Sequence, residues 1–230
     1  MGLGKGLGLS YIGAGRLRLI TFPSLSTALA FRYTSRSGVT PGSTFTWADQ
    51  SGNGHHATQS IGVQQPTLTP GGINALPYLA WGPAVNLKAT ISALAQPCEF
   101  FVVFATTAPA SVQYILDTGT NSQTVYVPDG TFKTFAGVAN IGPGLSVSAN
   151  VVHRGNVQLN GASTNVILDA GTPGTGNPGA NSGTTTLTVG NYGGGGVGLI
   201  GGLYEIIGFP SLLSAPDRAA VNAYLTSLYT

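Results

Sequence analysis

The sequence predicts an all-β fold, a sandwich of two antiparallel sheets followed by one short C-terminal helix. Charged residues make up only 7% of the 230 residues, against about 25% in typical soluble domains, and a helical protein needs them on its wet faces. Glycine (35) and proline (14) are abundant, which is typical of short strands joined by many turns. Apolar and polar residues also alternate in many short runs, the period of a half-buried strand.

The first strands follow from this alternation. Leu29, Phe31 and Tyr33 alternate with smaller or polar residues, and Phe45 and Trp47 do the same before a turn. That turn, residues 51–54, combines serine, asparagine and two glycines, which tolerate positive φ. The most apolar run, residues 99–105, predicts a central strand covered on both faces.

Two hairpins are predicted further along the chain. Asp129-Gly130 and Asn160-Gly161 each stand between alternating segments, and such pairs favour tight hairpin turns. Alternation over residues 145–149 predicts one more strand between the two hairpins.

The chain is predicted to close with a long strand at 203–209 and then a helix. Ser214 can cap that helix, and Asp217 follows in its first turn. One apolar stripe comprises Val221, Tyr224, Leu225 and Leu228.

Composition divides the chain into an extended N-terminal arm, residues 1–26, and a sandwich domain, residues 27–230. Glycine alternates with mostly leucine over residues 2–9, and the first 36 residues carry five basic residues and no acid. Two interpretations stay open: the basic residues keep a glycine-rich tail in solution, or the arm docks on an acidic partner surface. The candidate anchoring residues are Leu3, Lys5, Leu7, Leu9, Arg16 and Arg18.

Cys98 is the only cysteine, so the chain forms no internal disulfide, and its apolar neighbours predict a buried thiol. We expect no signal peptide, because no charged N-terminal segment leads into an apolar core. The sequence contains no run of about 20 apolar residues, the length that a helix needs to span a bilayer. These features predict synthesis in a host cytoplasm and no membrane partner.

The sequence contains no convincing catalytic or metal site. No two of the seven acids lie within ten residues of each other, whereas glycosidases need two neighbouring carboxylates. His55 and His56 are adjacent, which on a strand directs them to opposite faces. No nucleophile-elbow motif accompanies His153. The sequence therefore predicts no catalytic residue, no metal ligand and no cofactor, with calcium at Asp117 or Asp129 as a minor alternative.

Two tyrosines are candidates for glycan contact. Tyr192 lies beside the glycine-rich segment 193–196, and Tyr126 lies near a hairpin end. Sugar recognition uses exposed aromatic rings with polar neighbours, although packing within the sheets is the competing interpretation.

Three segments resemble the concanavalin A-like jelly roll of laminin-G-like modules. They are Trp47-x-Asp49-x-Ser51-Gly52-Asn53-Gly54-x-x-Ala57-x-Gln59; Gln65-Pro66 followed by Leu76-Pro77; and Leu203-x-Glu205-Ile206-Ile207 followed by Leu213-Ser214 and a helix. The resemblance covers residues 27–230 and implies two antiparallel sheets packed face to face. Members of this family occur as binding modules and as accessory domains of virion proteins, and some relatives are glycosidases.

The sequence and the resemblance together predict a non-enzymatic virion structural protein of a tailed bacteriophage. It would be a capsid decoration, head-fibre or tail accessory protein located in the virion. Its expected partners are capsid or tail proteins, with a homotrimer as one arrangement and no direct contact with nucleic acid. The alternative is a carbohydrate-binding module for host-surface glycans, and the third hypothesis is a glycoside hydrolase or lyase.

Overall fold

A computed structural model of the chain describes residues 9–12, 16–142, 144–193 and 195–230. Two eight-stranded antiparallel sheets and one C-terminal helix form the body, which confirms the predicted all-β sandwich. In chain order the strands are β1 (Leu9–Ile12), β2 (Arg16–Leu19), β3 (Phe31–Thr34), β4 (Val39–Thr40), β5 (Phe45–Trp47), β6 (Ala57–Gln59), β7 (Thr67–Thr69), β8 (Tyr78–Trp81), β9 (Leu87–Thr90), β10 (Cys98–Thr106), β11 (Gln113–Asp117), β12 (Thr124–Val127), β13 (Lys133–Phe135), β14 (His153–Leu159), β15 (Thr164–Leu168), β16 (Gly174–Gly176), β17 (Thr186–Val189) and β18 (Gly201–Phe209). The helix is α1 (Ala215–Tyr229), and short 3₁₀ turns occupy Gly62–Gln64, Ile73–Ala75 and Gly161–Ser163.

The two sheets differ in what covers their outer faces. The helix-side sheet has the order β16-β15-β14-β10-β18-β8-β7, and β3 also pairs with β18. Helix α1 packs against its outer face. The open sheet has the order β13-β12-β11-β17-β9-β6-β5-β4, and no helix of the described chain covers it.

The described part of the predicted arm forms a two-stranded hairpin, with Leu9 paired to Leu19 and Ile12 to Arg16. Leu9, Arg16 and Arg18 belong to its strands, whereas Leu3, Lys5 and Leu7 lie outside the described residues. The anchoring role of the arm stays a prediction.

Strand β10 explains why the body has two apolar layers. Phe100, Val102 and Phe104 point into the core between the sheets, while Phe101 and Val103 pack under α1. Residues on one strand alternate between faces, and both faces here are covered, as predicted for residues 99–105. The helix is also confirmed: the Ser214 hydroxyl accepts a hydrogen bond from the Asp217 N–H, and the predicted apolar stripe is buried.

Two local predictions were wrong. Residues 145–149 form no strand; Leu145 and Val147 are buried, but only one isolated bridge, between Thr131 and Ser146, occurs there. The Asn160-Gly161 pair does not form a two-residue turn. Strands β14 and β15 do pair, but they are connected through the 3₁₀ turn Gly161–Ser163.

Two buried carboxylates hold α1 on the helix-side sheet. Glu99 accepts hydrogen bonds from the Arg218 guanidinium at 2.7 and 2.9 Å and from the Leu213 N–H at 2.9 Å, near the start of the helix. Glu205 accepts from the hydroxyls of Tyr224 and Tyr229 near its end. Both carboxylates are completely buried, and each is compensated by a cation and further donors, as a buried charge requires.

Within the described ranges, no helix combines the length and the apolar character that crossing a membrane would require.

Candidate functional site

The outer face of the open sheet is polar, and it is accessible at β6, at β9 and at the start of β17, whereas Thr188 is buried. Thr58, Lys88, Thr90 and Thr186 are exposed on its central strands. Thr58, Lys88 and Thr188 are directly opposed on β6, β9 and β17, so their side chains share this face. The exposed part of this face has no apolar covering layer and is free to contact a ligand.

Three tyrosines meet at one end of this face. Tyr114 on β11 is directly opposed to Tyr126 on β12, and their rings stack with centroids 5.0 Å apart. The Tyr192 ring lies 5.4 Å from that of Tyr114. The two tyrosines predicted from the sequence therefore belong to one cluster, joined by Tyr114, which sequence reasoning missed. We call these three residues the tyrosine cluster.

The members of the tyrosine cluster differ in accessibility. Tyr126 is only 5% exposed, its hydroxyl donates to Asn140 Oδ1, and burial raises its pKa well above the ordinary value. Tyr114 and Tyr192 are partly exposed. The ring of Tyr126 thus supports the cluster from beneath, and the other two present the contact surface.

Asn191 fixes the loop that carries Tyr192. Its side chain is completely buried. The Asn191 amide donates to the carbonyls of Pro83 and Val85 at 3.0 and 3.1 Å, and its Oδ1 accepts from the Tyr192 and Val197 N–H groups. An asparagine side chain can both donate and accept, so Asn191 satisfies backbone carbonyls and backbone N–H groups of the buried loop. The ring of Tyr192 is consequently held in place rather than tethered to a loose tip.

Asp117 lies beside the tyrosine cluster in a row of buried polar residues. It is directly opposed to Thr124 on one side and Thr188 on the other, and all three are completely buried. Its Oδ2 accepts from the N–H groups of Asn121 and Gly193, both at 2.9 Å. Oδ1 of Asp117 and both threonine hydroxyls have no hydrogen-bond partner among the described residues. Burial raises the pKa of Asp117, opposed by its backbone hydrogen bonds.

His153 and Asp169 form a pair with the geometry of a catalytic dyad, but the second ring nitrogen of His153 is already hydrogen-bonded. His153 Nδ1 lies 2.6 Å from Asp169 Oδ2, and the Ser148 N–H donates to His153 Nε2 at 3.0 Å. Burial would raise the pKa of Asp169, but the hydrogen bonds from His153 and from the Arg154 N–H lower it overall. Because Nε2 is occupied by a backbone donor, the imidazole is not available to activate a serine hydroxyl.

The turn after Trp47 is organised by Asp49. Its carboxylate accepts from the N–H groups of Arg32, Ser51 and His55 at 2.9 to 3.1 Å. The Asp49 N–H donates to His56 Nδ1. This nitrogen is therefore already occupied, and His55 and His56 do not bind one ligand together.

Asp129, the other acid considered for calcium besides Asp117, is paired with Lys133 at 2.8 Å. Among the described residues no group of three or more His, Cys, Asp or Glu side chains is placed to hold a metal ion.

Cys98 is completely buried, as predicted, and burial raises the pKa of its thiol to about 12. It is therefore a packing residue, because reactive cysteines have lowered pKa values.

Sequence comparison identifies no relative: no family model matches the chain, and no curated protein matches it. Solved structures do share the fold. The sialidase of Trypanosoma rangeli in complex with sialic acid superposes with a TM-score of 0.64 at 12% identity, over 98% of this chain and 37% of that one. A GH54 α-L-arabinofuranosidase matches with a TM-score of 0.55 at 17% identity, over 80% of this chain and 50% of that one.

An arabinofuranosidase complexed with arabinofuranosyl-α-1,2-xylobiose matches with a TM-score of 0.56 at 13% identity, over 91% of this chain and 61% of that one. The chain thus spans less than two thirds of the length of each of these enzymes. At these identities the likeness shows the fold alone.

These matches correct the functional prediction made from the sequence. A non-enzymatic virion structural protein was predicted, whereas the solved structures named above, which share the fold, are glycosidases. These matches contradict that prediction and the prediction that the protein is not an enzyme. Both predictions were based on the absence of catalytic motifs from the sequence. A sandwich of this kind carries few such motifs, so their absence was weak evidence.

Proposed function

We propose that this chain is a carbohydrate-recognising β-sandwich of glycoside-hydrolase-type proteins, and that the open sheet binds a saccharide at the tyrosine cluster. The observation that carries the proposal is the meeting of two partly exposed tyrosines, Tyr114 and Tyr192, at one end of a polar sheet face that also exposes threonine hydroxyls. Tyrosine rings offer rigid apolar contact area with a polar tip at low entropic cost. Sugar rings present the matching combination of C–H faces and hydroxyl edges.

The surroundings of the tyrosine cluster favour binding without rearrangement. Tyr126 supports the ring of Tyr114, and Asn191 fixes the loop of Tyr192. A site whose side chains are already held loses little conformational entropy when a ligand binds. The laminin-G-like resemblance of the sequence and the glycosidases among the structural neighbours both support this proposal.

Replacing the two accessible tyrosines tests the proposal. We expect Tyr114→Ala and Tyr192→Ala each to weaken binding of the preferred saccharide at least about tenfold, because a central aromatic contact is worth more than about 1.4 kcal/mol. The measurement is calorimetric titration with sialic acid and with arabinofuranosyl-α-1,2-xylobiose, the sugars bound by two structural neighbours. Val63→Ala, which shortens an exposed apolar side chain outside the cluster, is the control. Unchanged affinity in both cluster variants would refute the proposal.

A second candidate function is glycoside hydrolysis by this chain itself. The favouring observation is Asp117, a buried carboxyl with a raised pKa next to the tyrosine cluster, since glycosidases need a carboxylic acid that stays protonated. It ranks second because the carboxyl is enclosed and no other carboxylate contacts it among the described residues. Release of 4-nitrophenol from 4-nitrophenyl α-L-arabinofuranoside, lost in Asp117→Asn, would support it, and no release would exclude this substrate.

A further inference from the structure

A small cavity lies between helix α1 and strands β14 and β15 of the helix-side sheet. Its volume is about 40 Å³, and Asn222, Leu225 and Thr226 line it from the helix. Residues three and four positions apart share one face of a helix, so these three side chains face the sheet together. Since one water needs about 10–15 Å³, the cavity admits a single ion or small molecule but no sugar ring. We call it the helix–sheet cavity.

Arg154 brings a positive charge to the helix–sheet cavity. It is directly opposed to Val103 on β10, and Val103 packs under α1. Directly opposed residues share one face of a sheet, so the side chain of Arg154 extends from the outer face of the helix-side sheet. It therefore lies in the layer between sheet and helix that contains the cavity, and it lines the cavity wall.

The guanidinium of Arg154 has no partner that would compensate its burial. Its Nη1 is buried and has no hydrogen-bond partner among the described residues. No carboxylate of the described chain lies within 4.0 Å of this guanidinium, and Asp169 uses its oxygens for His153 Nδ1 and the Arg154 backbone N–H. A guanidinium has only donors, so an acceptor from outside the described residues is needed to satisfy Nη1.

The other polar groups of the cavity do not supply that acceptor. Arg154 is the only charged residue among those that line it. The Asn156 amide donates to Glu99, and its oxygen accepts from another side chain. Asn222 and Thr226 are exposed, so the cavity can be reached from solvent between them. Their amide and hydroxyl groups can donate to a ligand inside.

We propose that the helix–sheet cavity binds a small monovalent anion of the size of chloride. An anion supplies both the acceptor and the opposite charge that the buried guanidinium lacks, whereas a water molecule supplies the acceptor alone. The site is on the opposite side of the sandwich from the tyrosine cluster and does not depend on saccharide binding there.

Chloride NMR and thermal unfolding test this proposal on the full chain. We expect excess broadening of the chloride resonance that saturates as the chloride concentration rises. Replacing sodium gluconate by sodium chloride at equal ionic strength should raise Tm by about 2–4 °C once chloride exceeds its dissociation constant several-fold, because gluconate is too large for the cavity. Arg154→Gln should abolish both responses.

Three further variants complete the experiment. Lys88→Gln removes an exposed cation from the other sheet and makes the same change in net charge, so it should keep both responses. Asn222→Leu should weaken them by filling the mouth of the cavity. Ala219→Leu, at an exposed position of α1 that does not line the cavity, controls for the added bulk and should keep them.

Equal Tm values in the two salts, broadening that does not saturate, or responses retained by both Arg154→Gln and Asn222→Leu would show that water alone fills the cavity and would overturn the proposal. None of these measurements uses a saccharide, so their outcome is independent of whether the tyrosine cluster binds one.

Discussion

Asp117 is the residue on which two loops of the candidate site depend. Its Oδ2 joins the backbone of Asn121, in the loop after β11, to that of Gly193, next to Tyr192. Its Oδ1 faces no partner among the described residues, and neither do the hydroxyls of Thr124 and Thr188 opposite it. A buried carboxylate without a cation is costly, so burial raises the pKa of Asp117 in the folded protein.

Asp117→Asn should therefore change how stability depends on pH. Burial holds the pKa of Asp117 above its ordinary value of 3.8, so the folded chain binds this proton more tightly than the unfolded chain. The contribution of the group is greatest below pH 3.8 and is lost as the pH rises through the folded-state pKa. Asn removes that loss and retains an oxygen acceptor, so we expect a gain of about 1 kcal/mol at neutral pH, a few degrees in Tm.

Urea unfolding at several pH values measures this effect. The matched control is Asp129→Asn, because the hydrogen bond from Lys133 lowers the pKa of Asp129 and its contribution is lost as the pH falls instead. This account is contradicted if Asp117→Asn is less stable than the wild type at neutral pH and its free energy of unfolding depends on acid pH as that of the wild type does.

At the scale of elements, α1 is held at both ends by carboxylates of the sheet beneath it. Glu99 belongs to β10 and Glu205 to β18, the two longest strands of the helix-side sheet. The Glu205 carboxylate lies 2.9 Å from the Arg32 guanidinium, which also lies over the ring of Phe22. Removing either carboxylate leaves a buried or partly buried arginine unpaired.

We expect Glu205→Ala to destabilise the fold by about 3–5 kcal/mol, the usual cost of breaking a buried ion pair on one side. Glu99→Ala should cost less, because Arg218 is partly accessible to solvent. Denaturant unfolding gives both values. Asp129→Ala, which breaks an accessible pair, should cost at most about 1 kcal/mol, and equal effects for Glu205 and Asp129 would show that burial is not the cause.

The sequence predicted elements better than it predicted the site. Segments 99–105 and 215–229 are recognisable because apolar pattern and capping are local properties. The tyrosine cluster depends on the pairing of β11 with β12, where a bulge between Tyr114 and Leu116 shifts the register. No local pattern reports that pairing, so Tyr126 and Tyr192 were found separately and Tyr114 was missed. The role of Glu99 similarly depends on Arg218, 119 residues further along the chain.

At the scale of the whole molecule, charge is scarce, and most of the basic side chains that the structure describes lie near a carboxylate. Of the basic side chains that the structure describes, Arg32, Arg36, Lys133 and Arg218 lie within 4.0 Å of a carboxylate, and Arg154 lies near Asp169. Lys88 has no such neighbour and stands among threonines on the open sheet. An unpaired cation on the proposed binding face favours a saccharide with a carboxylate.

Lys88→Ala should accordingly weaken binding of sialic acid several-fold and reduce its dependence on salt, while binding of arabinofuranosyl-α-1,2-xylobiose changes little. Calorimetric titration at low and high salt measures both. Lys133→Ala is the matched control on the same sheet, because its charge is already paired with Asp129. If both lysine variants behave alike, Lys88 has no specific role.

The central claim is that a saccharide binds the open sheet at the tyrosine cluster, and backbone amide NMR of the isotope-labelled chain during titration with sialic acid tests it most directly. The account predicts saturable shifts that are largest at Tyr114, Tyr192 and Lys88 and small across α1. Shifts confined to the helix-side sheet, or no saturable shift on the open sheet with either this sugar or arabinofuranosyl-α-1,2-xylobiose, would contradict it.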